Sequence, residues 1–141
     1  MKKVNKVILG IDPGTNMLGY GAIRVKDNQI ELLGLGTVDL KKYKSQPDKL
    51  KKIFERVCWV IEHFQPEECA LEAPFYGKNL QSMLKLGRAQ GVAMAAALAN
   101  HVAVVEYAPK KIKQSVTGNG NASKEQVAAM LQRLLKFEEL P

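Results

Sequence analysis

The chain has 141 residues, 46% of them hydrophobic, which fits a single folded domain over residues 1–141 with a proper core. Its formal net charge of +7 favours a polyanionic partner such as nucleic acid. No run of about 18 apolar residues occurs, so the sequence predicts no membrane span. Cys58 and Cys69 lack the spacing of metal ligands, which predicts free buried thiols and a reducing, cytoplasmic location.

The first part of the chain is predicted to form three strands. They cover about Lys6–Asp12, Gly19–Lys26 and Gln29–Asp39, and short turns rich in Gly, Asn and Asp separate them. Consecutive strands joined by such turns are typical of an antiparallel meander. A lysine-rich loop at 41–44 follows the third strand.

The middle of the chain is predicted to alternate helices and strands. A helix ending near Gln65 comes first, then a strand at Cys69–Glu72, an alanine-rich helix at about Leu80–Asn100 and a strand at Val102–Tyr107. The apolar residues of the first helix follow the spacing of one helical face. They are Leu50, Ile53, Phe54, Val57, Val60, Ile61 and Phe64.

The last segment is predicted to contain a short helix that opens at Pro109, a loop at 118–121 and a helix at about Lys124–Phe137. Ser123 and Gln126 have the spacing of a capping box at the start of that helix. Three meandering strands followed by alternating helices and strands predict an α/β fold. Its architecture is a five-stranded mixed sheet flanked by helices.

Asp12 is the most informative residue, because it ends an apolar strand and precedes Pro13 and Gly14. A carboxylate in this setting is costly to bury unless it is hydrogen-bonded, paired or bound to a metal. An Asx-type turn and a metal or phosphate site both account for it. Glu72 ends the fourth strand in the same way, and the two carboxylates converge on a divalent cation if their strands are neighbours. Otherwise Glu72 is an exposed residue at a strand end.

Four ordered segments resemble the RuvC family of Holliday junction resolvases, endonucleases of the ribonuclease H-like superfamily. They are ILGIDPGTNMLGYGAI, ALEAPFYGKN, LKLGRAQGVA and YAPKKIKQSVTGNGNASKEQV. The resemblance implies a ribonuclease H-like fold and a homodimer that nicks two strands of a four-way DNA junction symmetrically in recombination and repair. It also implies two Mg²⁺ ions per active site, with Mn²⁺ as a substitute, held by Asp12 and Glu72. A branch-migration motor complex is the implied partner.

The family pattern has two further ligand groups, an Asp and then an Asp or His, at the start of a final helix. The sequence ends at Pro141 without that helix. Glu138 and Glu139 are expected to face solvent at the end of the preceding helix, where they do not replace the two groups. The 141-residue chain is therefore predicted to be an inactive or impaired form of the nuclease domain.

Aromatic and basic residues after Glu72 are candidate DNA contacts. Phe75 and Tyr76 lie in a polar loop, where they either stack on bases or pack beneath the loop. The resemblance places Phe75 at the junction crossover. Other residues are candidates for phosphate contacts, with a solvated surface position as the alternative for each. They are Lys78, Asn79, Lys85, Arg88, Lys110, Lys111, Lys113 and Lys124.

Gly87 and Gly91 lie four residues apart in the alanine-rich helix, which allows a close approach to another element. That element is either the protein's own sheet or a second subunit, and the resemblance places this helix in the dimer interface.

Three other functional classes stay open from the sequence. Nucleotide-binding proteins of the sugar kinase and actin type share the Asp-x-Gly-Thr turn, and a RuvC-like family linked to ribosomal RNA processing shares the first motif. A non-catalytic junction-binding module is the third.

Overall fold

The computed structural model describes residues 5–27, 29–72 and 79–107, with the backbone alone at Glu72 and Tyr107. The elements are β1 (Asn5–Pro13), β2 (Met17–Lys26), β3 (Gln29–Asp39), α1 (Gln46–Phe64), β4 (Glu68–Glu72), α2 (Leu80–Ala99) and β5 (Ala103–Tyr107). These bounds confirm the predicted fold class. The short helix at Pro109, the loop at 118–121 and the helix at Lys124–Phe137 lie outside the described residues.

The five strands form one mixed sheet in the order β3-β2-β1-β4-β5. β1 pairs antiparallel with β2 and parallel with β4, while β3 and β5 form the outer strands. These directions place the last residues of β1, β3, β4 and β5 and the first residue of β2 on one side of the sheet. Those residues are Pro13, Asp39, Glu72, Tyr107 and Met17. We call this side the carboxyl edge.

Both helices pack on one face of the sheet. Burial alternates along β1. Leu9, which is fully buried, and Ile11, two residues further on, belong to the core together with Cys69 and Leu71 of β4. The opposing layer comes from the buried faces of the helices, Ile53, Val57, Val60 and Ile61 in α1 and Ala89, Ala93, Ala96 and Ala97 in α2. β1 is therefore held in place by its two neighbouring strands and by the helices that pack on it.

Helix α1 has capping residues at both ends. Ser45 Oγ accepts a hydrogen bond from the Asp48 backbone N–H at 3.2 Å, and Gln65 ends the helix in the left-handed region with φ 53°. The prediction that Phe54 belongs to the apolar face is wrong, because its side chain is 41% exposed. Each helical residue is rotated by about 100° from the one before, so Phe54 lies past the edge of the face centred near Val57.

Helix α2 packs on the sheet through its alanines, which allow a close approach. A Cβ atom built on Gly87 or Gly91 has no heavy atom within 4 Å, so these glycines lie away from the sheet. They continue an exposed apolar stripe along the helix. The α2 stripe consists of Leu80, Leu84, Gly87, Gly91, Ala95 and Leu98.

The cysteines are free thiols, as predicted. Cys69 is buried, and burial raises the pKa of its thiol to about 11, so it stays protonated at neutral pH. Cys58 is only half-buried, and its sulfur accepts a hydrogen bond from Asn100 Nδ2 at 3.3 Å. Among the described residues, neither helix has an apolar stretch long enough to cross a bilayer.

Gly14 is required in the tight turn between β1 and β2. Its N–H donates to the Met17 carbonyl at 2.9 Å, and a Cβ atom at Gly14 would lie only 2.6 Å from that oxygen. We therefore expect Gly14→Ala to lower the free energy of unfolding by about 1–3 kcal/mol. Thermal unfolding followed by circular dichroism measures the effect. Gly10→Ala is the control and should lower the free energy of unfolding far less, because a Cβ atom at Gly10 would make only an ordinary contact, 3.8 Å, with the Gly21 carbonyl oxygen. Equal melting temperatures for Gly14→Ala and the unmodified chain would contradict this expectation.

Candidate active site

Asp12 lies at the carboxyl edge on the sheet face opposite the helices. Its neighbours Ile11 and Pro13 are buried, whereas Asp12 itself is exposed. No described residue donates a hydrogen bond to its carboxylate, and the turn is closed by the backbone bond from Gly14 to Met17. The alternative of an Asx-type turn therefore does not describe this turn, and both carboxylate oxygens are available to a ligand.

Glu72 occupies the position beside Asp12 in the neighbouring strand. The parallel ladder between β1 and β4 ends at the pair Ile11↔Leu71, and each strand then continues by one residue, to Asp12 and Glu72. Neighbouring strands are about 4.8 Å apart, and residues in register occupy the same face. β1 and β4 are therefore neighbours, which is the condition under which Asp12 and Glu72 were expected to converge.

Gly19 keeps the other side of Asp12 open. Gly19 lies in β2 and pairs with Asp12 of β1. A Cβ atom on Gly19 would lie 3.9 Å from the Asp12 Cβ. The missing side chain leaves room beside an exposed carboxylate, and oxygen donors of this kind suit a hard divalent cation. The fit to such an ion is only partial. Among the described residues, no group of three or more His, Cys, Asp or Glu side chains lies close enough together to hold a metal ion.

The predicted DNA contacts are only partly within the described residues. Asn79 caps α2, with its Oδ1 accepting from the Ser82 N–H at 3.1 Å, so that oxygen is engaged within the chain. Lys85 is exposed, and Arg88 Nη1 donates to Gln46 Oε1 at 2.7 Å. DNA contact by these residues stays a prediction. Outside the described residues lie Phe75, Tyr76, Lys78, Lys110, Lys111, Lys113 and Lys124.

A further basic surface at the carboxyl edge was not predicted from the sequence. Lys41, Lys42 and Lys44 are exposed in the connection between β3 and α1, which begins where β3 ends. The signal in the sequence was the run of lysines itself. Its relation to Asp12 was hidden, because it depends on β3 ending at the same side of the sheet as β1. We call residues 41–44 the lysine loop.

The family model for the crossover junction endodeoxyribonuclease RuvC matches residues 8–141 of this chain. The chain belongs to the RuvC family. RuvC of Cytophaga hutchinsonii is 60% identical over 99% of this chain and 70% of its own length. RuvC of Bacteroides fragilis is 59% identical over 96% of this chain and 73% of its own length.

A solved structure of T. thermophilus RuvC in complex with a Holliday junction substrate has a similar fold. It superposes with a TM-score of 0.88 and 34% identity, over 96% of this chain and 83% of the other. The yeast mitochondrial Holliday junction resolvase Ydc2 shares the fold, with a TM-score of 0.65. The family match extends far beyond the turn at Asp12, which decides against the sugar kinase and actin class. The RuvC resemblance and its ribonuclease H-like fold are therefore confirmed.

Proposed function

We propose that this RuvC-family chain is a structure-selective endonuclease that binds four-way DNA junctions and nicks two strands in a paired, symmetric manner. The observation that carries the proposal is the placement of Asp12 and Glu72 side by side at the carboxyl edge. The similar RuvC of T. thermophilus was solved in complex with a Holliday junction substrate, which supports the same substrate for this chain. The proposal includes a cytoplasmic role in recombination and repair beside a branch-migration motor, which membership of the RuvC family supports.

Asp12 and Glu72 are the residues that would hold Mg²⁺ or Mn²⁺, two ions per site in the proposed form. When bound, such ions activate water and stabilise the leaving oxygen in phosphodiester hydrolysis. The chain contributes a carboxylate held at the end of the central strand, with the core beneath it at Ile11. Gly19 contributes room for a phosphate beside that carboxylate. Further donors are needed to hold two ions, and in the family pattern the final helix supplies them.

The proposed homodimer forms through the α2 stripe. Leu80, Leu84 and Leu98 are 67%, 59% and 54% exposed, although such side chains are usually buried. The glycines between them leave open space, so a second helix can approach closely. The stripe lies on the side of α2 opposite the buried alanines, so it is available to a second copy while α2 stays packed on its own sheet.

Gly91→Glu is expected to convert the dimer into monomers. A Cβ atom at Gly91 meets no heavy atom of the described residues within 4 Å, and Glu is a better helix former than Gly by roughly 0.5 kcal/mol. The folded protomer should therefore keep its stability while the interface gains a bulky charge. Sedimentation equilibrium measures the state of assembly. Gln81→Glu, an exposed position in the first turn of the same helix, should leave the dimer intact. A Gly91→Glu variant that stays dimeric would rule out the α2 stripe as the interface.

The substrate is tested by competition binding. A labelled synthetic four-way junction is bound by the 141-residue chain without divalent cation, and unlabelled junction or matched duplex is added as competitor. The proposal expects the junction to compete at a concentration at least tenfold lower than the duplex. Equal competition would remove junction selectivity and favour the RNA-processing alternative. Selective binding without nicking, by a version that also carries the final family helix, would identify a non-catalytic binding module.

A further inference from the structure

We propose that the lysine loop, together with Lys49 of α1, is a second phosphate-binding surface that holds one duplex arm of the junction beside the Asp12 edge. This inference deepens the proposed function and rests on it. It assigns a DNA-binding role to Lys41, Lys42 and Lys44, which lie outside the RuvC-like motifs of the sequence.

The loop is tied to the turn that follows Asp12. The Leu40 N–H donates to the Asn16 carbonyl at 2.9 Å, and Lys49 Nζ donates to Asn16 Oδ1 at 3.4 Å. Since β3 lies two strands from β1, the loop starts about 10 Å from Asp12 along the sheet edge. Asp12 lies on the face opposite the helices and the loop leads to the helix side, so one duplex reaches both sites by lying across the carboxyl edge. The separation is close to the roughly 12 Å width of a DNA major groove, which makes that placement possible.

Two apolar anchors fix the loop, and Lys42 Nζ lies over the ring of one of them, 5.6 Å from the Tyr43 ring centroid. Leu40 is fully buried, and the half-buried Tyr43 packs against the core. The backbone is held by the Lys41 N–H donating to Asp39 Oδ1 at 2.9 Å and the Tyr43 N–H donating to the Leu40 carbonyl at 3.1 Å. The lysines on either side of Tyr43 are exposed. A backbone ordered in this way presents charge without the full entropic cost of ordering a free loop.

The charge of this surface is not neutralised by the described residues. None of their ion pairs involves Lys41, Lys42, Lys44 or Lys49. The nearby acids include Asp39, which accepts from the Lys41 backbone, and Asp48 in the first turn of α1. Glu55 also lines the depression beside Tyr43, together with Lys51 and Lys52. From Asp39 to Lys49 there are four lysines and two aspartates, so the segment keeps a net charge of +2.

The surface continues towards the predicted DNA contacts of α2. Arg88 Nη1 donates to Gln46 Oε1 at 2.7 Å, and Gln46 begins the helix that the lysine loop leads into. A basic path therefore runs from the lysine loop across the start of α1 to Arg88. Lysine is a compact point charge, and the single aromatic ring of the loop, Tyr43, is packed against the core instead of free to stack on bases. The chemistry fits the phosphates of a duplex arm, recognised without regard to sequence.

The test compares two double variants that each remove two positive charges. Lys42→Gln with Lys44→Gln changes the lysine loop, and Arg24→Gln with Lys26→Gln is the control on β2, with Lys26 at the opposite end of that strand. Binding of the 141-residue chain to a labelled four-way junction and to a duplex is measured over a salt series without divalent cation. The loop variant should bind both DNAs about tenfold more weakly at low salt. The slope of log K against log salt should fall by about 1.8, since each lost phosphate contact contributes about 0.9.

Each outcome of this test decides the matter. A loop variant that matches the control, whether both bind normally or both lose affinity equally, overturns the inference, because the effect would then be one of overall charge. Loss confined to the loop variant supports it. The unmodified chain provides the separate reading on the proposed function, since equal binding of junction and duplex would overturn junction selectivity whatever the loop variant does.

Discussion

Asp12→Asn is expected to lower metal-dependent nicking of a four-way junction by about three orders of magnitude. Asn keeps the size and shape of the side chain but removes the negative charge that would hold the ion. A loss of several kcal/mol of transition-state stabilisation corresponds to about this factor. Asp12 is exposed and contributes no hydrogen bond to the described fold, so the variant should unfold at the same temperature as the unmodified chain.

The measurement is the rate of nicking at saturating Mg²⁺, in a version of the chain that also carries the final family helix. Asp27→Asn is the matched control, because Asp27 is exposed at the opposite end of β2 and Asn tolerates its left-handed backbone at φ 54°. Titration of Mn²⁺ into the two variants, followed calorimetrically, separates loss of metal binding from loss of DNA binding. A nicking rate that falls equally in both variants would show that Asp12 has no special role.

Leu9→Ala is expected to lower the free energy of unfolding by about 3–5 kcal/mol. Leu9 is fully buried in the central strand, between β2 and β4 and beneath the helices. Neighbours held in this way cannot close the cavity that the substitution leaves. Domains are stable by only about 5–15 kcal/mol, so the variant should be close to unfolding at physiological temperature.

Urea unfolding at 25 °C, with ellipticity as the signal, measures this loss. Leu35→Ala is the control, because Leu35 is 46% exposed on an outer strand and its truncation should cost about 0.5 kcal/mol. Similar urea midpoints for the two variants would contradict the placement of Leu9 at the centre of the core.

The strands and helices could be predicted from the sequence because their apolar periods are clear. Alternation in β1 and helical spacing in α1 locate both elements. The same pattern could not tell Phe54 from a core residue, since it is apolar and lies next to Ile53 in the chain. Which of two adjacent apolar residues is buried depends on how α1 is rotated against the sheet, and that is set by packing with β1 and α2.

The candidate site could be predicted in part for a related reason. Asp12 and Glu72 both end strands, which the sequence indicates, but only the parallel pairing of β1 with β4 makes them neighbours. The crossover through α1 sets that pairing over a long separation in sequence. A functional role for the lysine loop was not predicted, because its position relative to Asp12 depends on two antiparallel pairings, β1 with β2 and β2 with β3.

The most direct test of the proposed function is to map the nicks made in a fixed four-way junction at nucleotide resolution. The version that carries the final family helix is compared with and without Asp12→Asn. We predict paired nicks at symmetric positions in two opposed strands, and their loss with Asp12→Asn. Nicks that fall equally on matched duplex, or that persist in the Asp12→Asn variant, would contradict a junction resolvase built on this edge of the sheet.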